Sequence, residues 1–220
     1  MATHAVILAG GAGERFWPAS RVRRPKPFLE VVDGRSLLEA TQQRARRFAS
    51  RGCLWVVCGR QHAAAIRRET GLPASRVLVE PSRRNTAMAI AWVAHHIAAQ
   101  DPEAVLAVLP ADHRIPDARA FAAVIRKAAR AARSARCLVT LGVKPTRPDT
   151  GYGYIQVGPP VGRAHPGLRR VRRFVEKPDA AKACSYLRRG GYLWNAGIFV
   201  LGARTLLREL EVCAPQIHRA

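Results

Sequence analysis

The 220 residues carry 37 Lys+Arg against 15 Asp+Glu, a formal charge of +22, and 48% hydrophobic residues of which few are aromatic. That apolar fraction excludes a disordered chain and suits one α/β domain with a core of Ala, Val, Leu and Ile. No apolar run reaches the roughly 18 residues that span a bilayer, and the N-terminus lacks the basic start and apolar core of a signal peptide, so neither a membrane partner nor secretion is expected.

Only Lys26, Lys127, Lys144, Lys177 and Lys182 among the cations are lysines. The arginines are spread over most segments without the interleaved aromatics of a nucleic-acid stacking platform. A nucleic-acid partner is therefore disfavoured against a general compositional bias, although the overall field still attracts phosphate-rich substrates. The cysteines, Cys53, Cys58, Cys137, Cys184 and Cys213, are odd in number and lack Cys-x-x-Cys spacing. They read as reduced, buried thiols of a cytoplasmic protein.

In chain order, apolar runs at residues 4–9, 53–58, 77–79, 104–109 and 137–142 predict strands that alternate with helices. Ser36-Leu37-Leu38-Glu39 has the form of a capping box that opens a helix through about residue 49. Asn85 and Thr86 offer side chains suited to the start of another helix. Asp117 is placed to cap a third, in which Phe121, Val124, Ile125, Ala128 and Ala132 fall on one face and Arg126, Arg130 and Arg133 on another. Such alternation predicts a Rossmann-like, doubly wound, mostly parallel sheet with helices on both faces and ligands at the carboxyl ends of the strands. From residue 144 the texture changes to clustered Pro and Gly among short strand candidates. We read residues 1–143 as a nucleotide-binding half and 144–220 as a second half of the same domain, carrying another site.

The first strand runs into Leu8-Ala9-Gly10-Gly11-Ala12-Gly13-Glu14-Arg15-Phe16-Trp17-Pro18, followed by Pro25-Lys26-Pro27-Phe28. Glycines let a backbone turn sharply and offer N–H groups to phosphate oxygens, and Arg15 and Lys26 add positive charge. The loop lacks the Gly-Lys-Ser/Thr of a Walker A motif. Phe16 stands where a dinucleotide fingerprint needs its third glycine, which disfavours a dehydrogenase. Asp112, after a buried strand, is placed either to hold a cation at the sheet edge or to make an Asx-type turn. Glu176-Lys177-Pro178 offers an anion and a cation, a pair that elsewhere is often a surface salt bridge.

Together with Glu80-Pro81, Arg84-Asn85-Thr86-Ala87, Pro110-Ala111-Asp112-His113, Gly151-Tyr152-Gly153-Tyr154-Ile155, Phe174-Val175-Glu176-Lys177-Pro178 and Trp194-Asn195-Ala196-Gly197-Ile198-Phe199, these motifs make the chain resemble the sugar-phosphate nucleotidyltransferases over essentially its whole length. Within them it is most similar to the mannose-1-phosphate guanylyltransferases. The resemblance implies that Leu8, Ala9, Gly10, Gly11, Gly13, Arg15, Lys26, Asn85 and Thr86 contact the nucleotide, GTP. It further implies that Arg15, Lys26 and Asp112 are catalytic, with Asp112 binding Mg²⁺. Lys177 would bind the phosphate of mannose 1-phosphate, and Glu176, Asn195 and the backbone at Gly153 would complete the sugar pocket. Met88 departs from the proline usual in its motif, which loosens the inference about nucleotide choice.

Guanylyltransferases of this family continue past the position matching Ala220 and carry a second metal-binding Asp there. No residue of this sequence takes that place, so the expectation is the front part of such an enzyme or a shortened relative. Another nucleotide and sugar, such as dTTP or UTP with glucose 1-phosphate, remains open, as does a homodimer. A basic RNA-binding protein is the non-enzymatic alternative.

Overall fold

The structure, a computed structural model, describes residues 2–10, 26–32, 34–81 and 85–218. Gly11, Gly13 and Arg15 lie outside the described residues, as does the side chain of Asn85. The chain divides into two compact units, residues 1–139 with 199–220 and residues 140–198.

In the first unit the elements are β1 (Thr3–Leu8), a small antiparallel pair β2 (Glu30–Val32) and β3 (Arg35–Ser36), α1 (Leu37–Ala45), β4 (Leu54–Cys58), α2 (Ala63–Thr70), β5 (Val77–Val79), α3 (Asn85–Ala98), β6 (Val105–Pro110) and α4 (Ala118–Ser134). β7 (Val139–Val143), β8 (Tyr154–Pro160), β9 (Arg169–Val175), α5 (Ala180–Arg189) and β10 (Tyr192–Gly202) follow. The last residues of β10 return to the first unit and lead into α6 (Ala203–Cys213) and α7 (Pro215–His218).

Four strands of the first unit lie in the order β5-β4-β1-β6, all parallel, and β10 joins β6 antiparallel through Phe199–Gly202 paired with Val108–Val105. Strands covered on both faces need apolar residues at every position, which is why Leu54–Cys58 is wholly buried rather than alternating. Val6, Trp55, Val57, Leu106 and Val108 pack with Ile90, Val93 and Ile97 of α3 and with Leu201. Successive residues of a strand face opposite ways, so Ala5 and Ile7 serve the other side, where α1 contacts β1 and α4 contacts β6. The result is the mostly parallel sheet with helices on both faces expected from the alternating pattern.

The second unit is antiparallel. β8 pairs with β9 on one side and with the first residues of β10 on the other. Its small core gathers Tyr154, Ala183 and Trp194, with Tyr186 and Tyr192 packed against them.

Ser36 caps α1 by accepting from the Glu39 amide at 3.0 Å, and Asp117 caps α4 by accepting from the Arg119 and Ala120 amides. The reciprocal arm of a capping box is not formed, because the Glu39 carboxylate faces Gln43 and Arg35. Two sequence expectations need correction. Val124 is 48% exposed, whereas Phe121, Ile125, Ala128 and Ala132 are buried. It lies at the margin of the stripe, and Ala122, Ala129 and Ala131 fill the buried face instead. The five thiols are all free, but only Cys58 is buried, while Cys184 and Cys213 are exposed on α5 and α6 rather than in strands. Burial, helped by the Glu80 carboxylate, pushes the Cys58 thiol up to about 11. Among the described residues no helix is long and apolar enough to cross a membrane.

The corrected stripe on α4 is testable by urea unfolding. Ile125→Ala removes a fully buried side chain and is expected to destabilise by ~2–5 kcal/mol. Val124→Ala, one residue earlier, is expected to stay within about 0.5 kcal/mol of the parent.

Candidate active site

The parallel strands of the first unit all release their chains at one edge. Leu8 pairs with Pro110 at the ends of β1 and β6, and the ladder extends one step further, the Ala111 amide donating to the Leu8 carbonyl at 3.1 Å. On the other side of β1, Ala9 donates to the Val57 carbonyl at 2.8 Å, and Glu80 donates to the Cys58 carbonyl at 2.9 Å. Leu8, Ala9 and Gly10 thus leave the sheet between the chains that carry Glu80 and Asp112. Gly10 has no left-handed backbone angle, and a methyl placed on it would sit 3.4 Å from Glu80 Oε2, an ordinary contact. Among the described residues, neither a left-handed angle nor a close neighbour requires glycine there.

Lys26 begins a short 3₁₀ turn, Lys26–Phe28, anchored by the buried Pro27 and closed by the Leu29 amide on the Lys26 carbonyl at 3.1 Å. Its Nζ lies 2.5 Å from Asp112 Oδ2, with the two side chains 20% and 30% exposed. Asp112 itself stands two residues past the end of β6. The adjacent His113 imidazole is held below its usual pKa chiefly by burial, with the neighbouring Asp112 carboxylate acting in the opposite sense.

Among the described residues no three of His, Cys, Asp and Glu gather as a metal cage. A single, partly exposed carboxylate at a strand end nevertheless fits Mg²⁺, which is commonly held by one or two carboxylates together with phosphate oxygens and water.

In the second unit the acceptor candidates form their own cluster. The Asn195 amide donates to the Gly153 carbonyl at 2.7 Å. Asn195 Oδ1 accepts from the Gly197 amide and from Thr140 Oγ1, both at 3.1 Å. A backbone N–H can only donate, so this bond fixes the amide orientation and turns Nδ2 away from Oδ1 as the group left to donate. Gly197, at φ +65°, supplies the left-handed turn that brings its amide back. A Cβ at Gly153 would lie 2.8 Å from Glu176 Oε2 and 2.9 Å from Phe174 Cζ, so a side chain there would displace the ends of these two exposed groups. Lys177 Nζ stands 3.6 Å from Glu176 Oε1, both well exposed. Lys177 adopts φ +42°, a conformation rare for a residue with a side chain and stored by preference at functional sites. The Trp194 Nε1 donor, buried beside Tyr152 and Arg147, has no acceptor among the described residues.

A family model described as nucleotidyl transferase matches residues 4–220. The chain belongs to the nucleotidyl transferase family. It is 44% identical to the xanthan biosynthesis protein XanB of Xanthomonas campestris pv. campestris over 98% of its own length and 45% of that protein. With the mannose-1-phosphate guanylyltransferase RfbM of Salmonella typhimurium it shares 39% identity over 98% of this chain and 45% of the relative. A solved structure from Thermus thermophilus, named as a mannose-1-phosphate geranyltransferase, superposes with a TM-score of 0.89 at 38% identity, covering all of this chain and 63% of that one. The chain thus spans about 45% of the length of these curated relatives.

Against the sequence expectations, this nucleotidyl transferase brings Leu8, Ala9, Gly10, Lys26 and Asp112 to one edge of its first unit, and Gly153, Glu176, Lys177 and Asn195 into one cluster of its second. Thr86 is exposed in the first turn of α3, with Asn85 as the first helical residue. Sequence reasoning gave no part to Glu80, Thr140 or Gly197, although Glu80 and Gly197 sit inside motifs it quoted. A cavity of about 320 Å³ bordered by Glu103, Arg133, Arg136, Arg204 and Arg208 opens at the amino end of β6, away from Asp112. Arg204 there already faces Glu103 at 3.4 Å.

The strain at Lys177 has a measurable signature. Lys177→Gly relieves it and Lys177→Ala does not, so the glycine variant is expected to be more stable than the alanine variant by about 1 kcal/mol in chemical unfolding. Equal stabilities would mean that the left-handed angle carries no strain.

Proposed function

We propose that this nucleotidyl transferase domain transfers GMP from GTP to mannose 1-phosphate and releases pyrophosphate. The observation that carries the reading is the Lys26–Asp112 pair at the carboxyl end of β6, one strand from the glycine exit of β1. Relatives named mannose-1-phosphate guanylyltransferases support the choice of sugar and nucleotide.

A phosphate oxygen of the sugar phosphate is already an anion and needs no general base. It forms a bond to the α-phosphorus of GTP while the bond from that phosphorus to the bridging oxygen breaks, and pyrophosphate leaves with the electron pair. Positioning and charge neutralisation are what such chemistry requires of the protein. In this reading the chain at Leu8, Ala9, Gly10, Gly11 and Gly13 receives the nucleotide, with Asn85 and Thr86 near its base. Arg15 and Lys26 neutralise the triphosphate and the departing pyrophosphate. Mg²⁺, when bound, would be held by Asp112 and supply charge neutralisation at the phosphates. Lys177 meets the acceptor phosphate, Glu176 accepts from sugar hydroxyls, and the oriented Nδ2 of Asn195 donates to one. Transfer from dTTP or UTP to glucose 1-phosphate is the alternative within the class.

Incubation with GTP, mannose 1-phosphate and Mg²⁺, scored for GDP-mannose and pyrophosphate, tests the reading, and product only with dTTP or UTP would replace it. Lys26→Ala is expected to lower turnover by ~2–4 kcal/mol of transition-state stabilisation. A rise in the KM for mannose 1-phosphate with kcat unchanged would be incompatible with its assignment. In calorimetric titration, Asn195→Ala is expected to weaken mannose 1-phosphate at least tenfold and leave GTP within about twofold, the loss of one oriented hydrogen bond. Equal weakening of both ligands would point to general misfolding.

A further inference from the structure

One buried cation in the first unit has no carboxylate beside it among the described residues. Arg44 on α1 is 7% exposed, and its guanidinium meets oxygens of neutral groups. Arg44 Nη2 donates to the His113 carbonyl at 2.7 Å and to Thr41 Oγ1 at 2.6 Å. Thr41, 1% exposed, in turn donates to the Ala111 carbonyl at 3.2 Å. A threonine in a helix usually satisfies its hydroxyl on its own preceding turn. Here it reaches across 70 residues of sequence instead.

The two carbonyls so engaged belong to the residues on either side of Asp112. Burying a guanidinium without a counter-ion is unfavourable, and the Arg44–Thr41 arrangement is therefore more than neutral filling of the core. With the ladder bond from the Ala111 amide to Leu8, Ala111, the residue before Asp112, is held at both its N–H and its C=O. His113, the residue after it, is held at its carbonyl. Asp112 lies between these two anchored residues, with its carboxylate beside Lys26.

We propose that Thr41 and Arg44 form a clamp on α1 that positions Asp112 for the nucleotide-bound cation. The proposal rests on the reading of Asp112 given above, and it makes Thr41 and Arg44 positioning residues that touch no substrate. Among the described residues Asp112 is the group through which they act on the ligand, so loss of the clamp alters dependence on Mg²⁺ first.

Two measurements separate the clamp from the reading on which it rests. The first uses ligand-free protein and hydrogen–deuterium exchange. Thr41→Val removes the hydroxyl at constant shape, and Arg44→Met removes the donors but keeps most of the buried stem. Both are expected to speed exchange across residues 111–114 by about tenfold or more, leaving α4 and β4 unchanged, while Thr41→Ser keeps the parental rates. Parental exchange in Thr41→Val, a variant that disturbs the core least, would overturn the clamp whatever the enzyme's activity.

The second measurement is calorimetric binding of GTP at varied Mg²⁺. Thr41→Val and Arg44→Met are expected to raise the half-saturating Mg²⁺ severalfold, with the metal-free affinity for GTP unchanged and Thr41→Ser restoring the parental curve. Faster loop exchange with an unaltered Mg²⁺ curve would reduce both residues to structural supports and overturn the positioning role. Failure of the parent chain to make GDP-mannose would count against the function proposed above, and the exchange result would still decide the clamp.

Discussion

The register between β1 and β6 governs everything at the candidate nucleotide edge. Because Leu8 lies opposite Pro110 and the Ala111 amide adds one further bond to Leu8, Gly10 and Asp112 leave the sheet side by side. In parallel strands a slip of one residue would turn every side chain to the opposite face, taking Val6 and Val108 out of the layer beneath α3. The apolar core thus fixes the register, and the register fixes where a glycine and a carboxylate emerge. α1 completes the constraint from outside the sheet, since Thr41 and Arg44 hold the carbonyls that flank Asp112.

Charge is used in two ways. Most arginines, such as Arg126, Arg130 and Arg133 on α4, are exposed and contribute to a diffuse positive field that favours polyanionic ligands without selecting among them. Lys26 and Arg44 differ because they are partly or wholly withdrawn from water, where electrostatic interactions are screened less. Lys26 stands beside Asp112 and compensates its charge. Under the proposed function a cation brought in with the nucleotide would share that carboxylate, and the lysine and the metal would then form one electrostatic arrangement rather than two independent contacts.

Much of the fold was legible because buried parallel strands require unbroken apolar runs, and residues 53–58 and 104–109 have them. Caps at Ser36 and Asp117 were legible for a similar reason, as a short polar side chain before an apolar stripe has few other uses. Val124 misled because helical spacing defines an arc and its margin is decided by the neighbouring helix. The cysteines on α5 and α6 misled because a small apolar residue is tolerated on a surface helix. At the candidate site the motif residues with distinctive chemistry stood out, whereas Thr41 and Arg44 were given no part. Their partners are carbonyls about 70 positions away, and a carbonyl leaves no trace in residue identity. Gly153 was quoted for its motif, but its close approach to the Glu176 and Phe174 side chains appears only once β8 and β9 are paired.

The second unit organises its polar groups by another principle. Asn195 lies in the stretch of β10 between the residues that pair with β8 and those that pair with β6, so its side chain takes over hydrogen bonds that a regular ladder would make. Oδ1 is occupied by Gly197 and Thr140, and only donation from Nδ2 remains. A side chain oriented in this way recognises an acceptor at one place and loses energy when none is there, which is how a hydroxyl-reading pocket discriminates more strongly than an apolar one. Lys177 shows the complementary device, an ammonium on a left-handed backbone turn that directs it without burial. Its flexible stem tolerates variation in the position of a phosphate, whereas the fixed amide of Asn195 does not. Under the proposed function, selectivity for the acceptor would reside in Asn195 and Glu176 around Gly153, and Lys177 would contribute attraction common to any sugar phosphate.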